Sequence, residues 1–301
     1  MNLDDPVHAL HHARRAAEHL KTLPAEAIGP IALEARLAIG AALAETGEID
    51  KARQTLREVL ESGRTSWHPD ARRHAAVAAW RLFFVLVEDD QLAEAGRALA
   101  GLEELVPGLA PAPRPFFAAL ALHLRGVLGL REGKIDESRR TFESAEAAAR
   151  GLGGGAAADL ARSAAAGRGQ AAAEEEAFAE AEEHFRRALS TPPGEEPPAK
   201  EQATRADLLL SLARAIVAQD REEEAIALVR RAFREGLASG SSAGRQVAAN
   251  AALLEGDLPA GEIVERRRLY ETAARLGRLS RRGRGRAIAE EAEARLRELR
   301  E

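Results

Sequence analysis

Apolar side chains recur in steps of three and four along most of this chain, and one stretch shows the rule most plainly. Between Ile31 and Glu45 they fall at Ile31, Leu33, Leu37, Ile39 and Leu43, with alanines between and no proline or β-branched run. That spacing predicts a helix. Gly47 is placed to end it as a left-handed C-cap. Ile49 opens a second series, Ile49, Ala52, Leu56, Val59 and Leu60, which forms one stripe on a helix. A joint of about three residues forces the two helices to return antiparallel. Ala52 stands where their backbones approach, and a small residue there permits a close crossing.

The pattern repeats. With Gly40 set as position 8 of a unit, Ala52 is position 20, Leu56 position 24 and Val59 position 27. Further units follow the loops at Trp67–Asp70, Pro107–Pro115, Gly151–Gly155 and the TPPGEEPPAK segment. Position 20 is then Ala52, Ala95, Ser138, Ala181 and Ala225, at separations of 43, 43, 43 and 44 residues. Position 24 is Leu56, Leu99, Phe142, Phe185 and Val229. Self-similarity at such a period predicts an all-α solenoid in which each helix pair stacks on its neighbours. Residues 1–24 read as an N-terminal capping helix, 25–240 as five repeats, and 241–301 as a degenerate sixth repeat with a charged C-terminal capping helix. In that last region helices are expected over 242–255, from Pro259 to about Leu276 and over 286–300.

These positions resemble the tetratricopeptide repeat, which has Leu-Gly at 7 and 8, Ala at 20, a large apolar residue at 24 and Ala at 27. Unit one departs from it at position 4, where Arg36 replaces an aromatic, and at position 32, where Arg64 replaces proline. The period is longer than the usual repeat and is similar to the longer tetratricopeptide-like repeats of bacterial regulators and kinesin light chains. HEAT and armadillo repeats also run to about 40–47 residues. The short Gly-x-apolar turn and the small residue at position 20 favour the tetratricopeptide reading. The resemblance implies a right-handed superhelix of antiparallel helix pairs, with partners bound on a concave face lined by the first helices.

The family's contact positions fall at Leu37 in unit one, at Val77, Trp80, Phe84 and Val87 in unit two, at Leu120, His123, Val127 and Leu130 in unit three, and at Arg214 in unit five. The Lys/Asn/Arg set that clamps a terminal carboxylate in chaperone-binding members is absent. The apolar middle implies a groove for an apolar peptide or amphipathic helix. Against this stands the plainer reading that Trp80 and Phe84 are interhelical core, or are covered by the chain's own C-terminal helices.

Composition narrows the rest. The chain of 301 residues is 46% hydrophobic but only 4% aromatic, so its core is built mainly from Ala and Leu, which suits helices. A net charge of −5 gives no general pull towards nucleic acid or membrane. There is no cysteine, which excludes disulfides, thiolate metal sites and a cysteine nucleophile. The N-terminus lacks a signal-peptide core and no run approaches a membrane span, so a cytoplasmic location and no membrane partner are expected. Arginine far outnumbers lysine, as in a GC-rich bacterial genome, so arginine clusters count for less.

One such cluster is Arg278, Arg281, Arg282, Arg284 and Arg286, a candidate contact for an acidic partner or phosphate backbone. Nucleic acid is the weaker alternative, because only Tyr270 is near to stack a base. His8 and His12 share a helical face with Glu18 the one nearby carboxylate to complete a set, and a solvated histidine face is the better reading, so no metal site and no cofactor is expected. Glu174–Glu176 read as the start of a second helix, and Gly151–Gly155 as a hinge. No dinucleotide, P-loop, H-E-x-x-H or G-x-S-x-G motif occurs. The expectation is a non-catalytic adaptor for a protein or peptide, with self-association compatible. A regulatory ligand- or peptide-sensing module and an arginine-mediated nucleic-acid binder are the alternatives.

Overall fold

The computed structural model describes residues 10–12, 14–15, 18, 25–66, 68–192, 198–259, 262–280 and 283–299. Thirteen α-helices account for nearly all of them: α1 (Ala25–Glu45), α2 (Ile49–Arg64), α3 (Pro69–Glu88), α4 (Leu92–Leu105), α5 (Arg114–Arg131), α6 (Ile135–Arg150), α7 (Gly155–Glu174), α8 (Phe178–Ser190), α9 (Pro198–Val217), α10 (Glu222–Ala238), α11 (Ser242–Asp257), α12 (Ile263–Leu279) and α13 (Gly283–Glu298). No strand occurs among the described residues, and none of their helices is long and apolar enough to cross a membrane. The fold is an all-α helical solenoid of successive antiparallel pairs. Two compact units divide it, residues 1–134 with α1–α5 and residues 135–301 with α6–α13.

The turn inside each pair is set by one left-handed residue. Gly47, Asp90, Gly133, Glu176 and Asp220 have φ of 81°, 56°, 75°, 59° and 59°. In each case the next amide reaches back to a carbonyl five residues before it: Glu48 N to Leu43 O at 2.9 Å, Gln91 N to Leu86 O at 2.8 Å, Lys134 N to Gly129 O at 2.8 Å, Ala177 N to Ala172 O at 2.9 Å and Arg221 N to Ile216 O at 3.3 Å. This is the Schellman arrangement that satisfies the last carbonyls of a helix. The turn residues lie 43, 43, 43 and 44 apart, in step with the small residues of the sequence pattern.

Those small residues do what their size permits. Ala52, Ala95, Ala181 and Ala225 have no accessible surface and Ser138 keeps 1%. Gly40 lies so close to Leu56 that an added Cβ would stand 2.8 Å from its side chain, and Gly169 is equally close to Phe185. Positions 8 and 24 therefore meet across the pair, and a glycine makes room for the large side chain.

Within each unit the odd-numbered helices pack on both neighbours in sequence and also on the next odd-numbered helix. Even-numbered helices make no comparably close approach to one another. Each unit is thus narrower on its odd side, so the odd helices line the inner face and the even helices the outer.

The corner between pairs is also repeated. Gly236, Ser239, Gly244 and Ala248 shape the passage from α10 to α11, with a Cβ on Gly236 meeting the Gly244 carbonyl at 2.7 Å. Gly277, Ser280, Gly285 and Ala289 stand 41 residues later between α12 and α13, with the corresponding gap at 2.6 Å. By this corner α13 is the first helix of a further pair, and it buries Ile288, Ala289 and Ala292 on the stack. Tyr270 closes the α11–α12 pair from within, fully buried, its hydroxyl donating to Gly256 O at 2.8 Å.

Some sequence expectations change. Glu174 ends α7, and Glu175 and Glu176 form the left-handed turn, so the acids do not begin a helix. The reason is register: Phe178, not Glu174, opens the stripe of α8. Gly151–Gly155 form a tight connection in which Gly153 and Gly154 take φ of 67° and 84° and Gly155 already starts α7. The last two helices run over Ile263–Leu279 and Gly283–Glu298, a few residues away from the expected bounds. Of the N-terminal helix, Leu10 is described, buried against Ala42, Leu43 and Ala52. His8 lies outside the described residues.

Candidate functional site

In the first unit the inner face is decided by α3. That helix packs on α1, α2, α4 and α5, which leaves one strip with solvent contact. Arg73, Val77, Trp80, Arg81, Phe84 and Glu88 occupy it, spaced by threes and fours, while Ala75, Ala76, Ala78, Ala79 and Phe83 are fully buried around it. Val77, Trp80 and Phe84 are half-buried. Phe84 is held edge-on against buried Phe83, ring centroids 5.5 Å apart. Leu37 on α1 and Val127 and Leu130 on α5 are also half-buried. Arg81 reaches solvent, yet surrounding protein desolvates its guanidinium and pushes its pKa down, with Glu45 pulling the other way. A cation among aromatic and aliphatic groups at the floor of a concavity meets both conditions.

Three residues expected in the groove are not available to line it. Val87, Leu120 and His123 are buried, at 6%, 2% and 7% exposure. α3 packs on four other helices, which turns Val87 into the core, and on α5 Leu120 and His123 lie on the side turned to the core. Burial pushes the His123 imidazole down to about 4, so it is neutral at pH 7.

The second unit has a different inner face. On α9 the solvent-contacting strip is Lys200, Thr204, Asp207, Ser211 and Arg214, while Leu210 is 1% exposed. On α7 it carries Ser163 and Gln170, and on α11 Gln246 and Asn250. Asp207 is solvent-accessible, but crowding by the protein pushes its carboxyl up, against the pull of Arg214 and Arg284. As with Arg81, a group at the bottom of a concave floor meets both conditions. The sequence pattern marked Arg214 but missed Ser211, which stands at the same place in its helix as Arg81 in α3, whereas Leu210, the counterpart of Trp80, is buried.

Of the C-terminal arginines, Arg278 donates to Glu293, and Arg284 and Arg286 are exposed. Arg281 and Arg282 lie outside the described residues. Among the described residues no group of three or more His, Cys, Asp or Glu side chains is placed to hold a metal ion.

No protein-family model matches the chain, and no curated protein does. Solved structures do resemble it. NprR in complex with its cognate peptide NprX superposes with a TM-score of 0.62 at 12% identity, covering 90% of this chain and 78% of that one. BtubC (BKLC) from P. vanneervenii gives 0.58 at 15% identity, covering 78% and 92%. A STAND signal-transduction ATPase with a tetratricopeptide repeat sensor, from Pyrococcus horikoshii, gives 0.55 at 12% identity, with 90% of this chain covered but 44% of the other. At such identities the likeness is one of fold.

Proposed function

We propose that this chain is a non-catalytic, tetratricopeptide-like interaction module with repeats of about 43 residues, and that the first unit's inner face holds an apolar peptide or amphipathic helix. The observation that carries the reading is the α3 strip: Trp80 and Phe84 stay half-buried on a helix packed on every other side. Aromatic anchors of this kind dominate binding energies when a partner desolvates them. Leu37, Val77, Val127 and Leu130 supply the apolar surroundings, and Arg81 supplies a cation for a carboxylate or helix C-terminus.

A test uses peptides selected from a displayed random library on the full chain. In a Trp67→Phe background a bound peptide should shift Trp80 emission to the blue. Trp80→Ala and Phe84→Ala should each weaken binding by about 2 kcal/mol, with helicity unchanged. Selected peptides that bind the double variant as tightly as the wild type would sink the reading.

A second reading is a regulatory peptide sensor. It is favoured by Asp207, which α9 places in the field of Arg284 from α13, so a ligand there would join two helices separated by a pair. The peptide-bound NprR structure has a similar fold. A selected peptide that changes the radius of gyration in solution scattering would support sensing over passive display.

A further inference from the structure

Arginines on the even-numbered, outer helices are answered by acids of the following pair. Arg57 on α2 donates to Glu94 on α4 at 2.6 Å. Arg139 on α6 donates to Glu180 on α8, and Arg186 on α8 to Glu224 on α10 at 2.8 Å. Arg230 on α10 lies 4.0 Å from Glu265 on α12. Across α2, α4, α6, α8 and α10, only Arg140 and Arg234 have no acid in contact among the described residues. The ladder disposes of the chain's arginine excess as it goes.

α12 ends that ladder. At 100° per residue, Val264, Arg267, Arg268, Glu271, Arg275 and Leu279 fall within about 120° of one another. All six are exposed. Arg278 on the same face is engaged by Glu293, but Arg267, Arg268 and Arg275 meet no acid among the described residues. Apolar side chains close both ends of the stripe, Val264 at 61% exposure and Leu279 at 56%, with Ile263 beside the first at 61%. These three are half of the large apolar side chains exposed among the described residues.

We propose that the outer face of α12 docks an acidic amphipathic helix of a partner protein. Its carboxylates would stand to Arg267, Arg268 and Arg275 as Glu94, Glu180 and Glu224 stand to the arginines before them. Its apolar residues, about 22 Å apart along the axis, would cover Val264 and Leu279. Glu94, Glu180 and Glu224 of the chain's own outer helices are already committed to internal pairs and are not offered to a second copy. A phosphate backbone would leave the apolar ends uncovered, and the one nearby aromatic, Tyr270, is fully buried and cannot stack a base. A bilayer would want a continuous apolar strip where this face carries charge in the middle.

The test is fluorescence anisotropy of the full chain with a synthetic helix bearing glutamates on one face and leucine at each end. Comparison probes are the same composition scrambled, a polyuridylate RNA, and phosphatidylserine vesicles. Arg267→Glu/Arg275→Glu and Val264→Ser/Leu279→Ser should each weaken the patterned helix at least about tenfold. Arg140→Glu/Arg234→Glu, which removes arginines equally free of acids, should leave it unchanged. Equal loss in that control, equal binding of the scrambled peptide, or α12-dependent binding that is tighter for RNA or vesicles would each overturn the proposal. Circular dichroism checks folding, and Arg267→Gln/Arg275→Gln replaces the reversal if that variant does not fold, with the same loss expected.

Discussion

Glu176→Gly should stabilise the protein. Glu176 sits at φ 59°, in the left-handed region, where a Cβ costs roughly 1–2 kcal/mol. Its counterparts at Gly47 and Gly133 already carry the residue that fits. Glycine gives back roughly 0.5–1 kcal/mol through the extra freedom of the unfolded chain, so the net gain is about 0.5–1 kcal/mol. The side chain of Glu176 is exposed, so little packing is lost with it. The converse is equally clean at Gly133, where an added Cβ meets nothing within 4 Å. Any loss in Gly133→Ala is therefore backbone strain less the entropy removed from the unfolded chain, and it should reach about 0.5–1 kcal/mol. Urea unfolding followed by both circular dichroism and tryptophan emission measures the two variants, the second probe guarding against the loss of cooperativity seen in repeat arrays. If Glu176→Gly destabilised the fold, or Gly133→Ala were neutral, the five turns would not be left-handed caps and the shared geometry of the pairs would be wrong.

Other outcomes follow from the packing. Gly169→Ala brings a Cβ to 2.8 Å from the ring of buried Phe185 and should cost about 1–3 kcal/mol, whereas Gly96→Ala meets only Leu128 at 3.6 Å and should gain about 0.5–1 kcal/mol from helix propensity; thermal denaturation reads both. His123, held at about 4 by burial, stays neutral in the folded chain while the unfolded chain takes up a proton below about pH 6.5. Stability should therefore be complete above that pH and fall by up to about 3 kcal/mol as pH drops towards 4, and His123→Met should flatten the slope in pH-resolved urea titrations, leaving what His74 and His184 contribute. The half-exposed pair Arg57–Glu94 should show a coupling of less than about 1 kcal/mol in a double-mutant cycle, reduced by salt.

The sequence showed what depends on local spacing and side-chain size. Ala52, Ala95, Ser138, Ala181 and Ala225 marked each pair's closest crossing because only small residues fit between backbones, and all five are buried. The glycine at Gly47 marked its turn, and the same turn at Asp90, Glu176 and Asp220 was hidden by residues that tolerate the conformation at a cost. Glu174–Glu176 misled for that reason: an acidic run suits a helix start, and nothing local says that one of its residues has a positive φ. Burial of Val87, Leu120 and His123 was illegible because it depends on how the odd helices pack on one another, a contact between residues a whole repeat apart.

On the proposed reading the inner faces of the two units would make different demands on a ligand. On α3 the strip offers Val77, Trp80 and Phe84, groups whose binding gain comes from leaving water. On α9 the corresponding strip offers Asp207, Ser211 and Arg214, groups that gain only when a ligand replaces their hydration with matched hydrogen bonds. The first tolerates many apolar sequences. The second discriminates, because an ill-matched ligand leaves a crowded carboxylate or guanidinium unsatisfied. For peptides held by the first unit, affinity should therefore follow substitutions at Trp80 and Phe84, while for a ligand held by the second, substitutions at Asp207 and Arg214 should change which ligand is preferred.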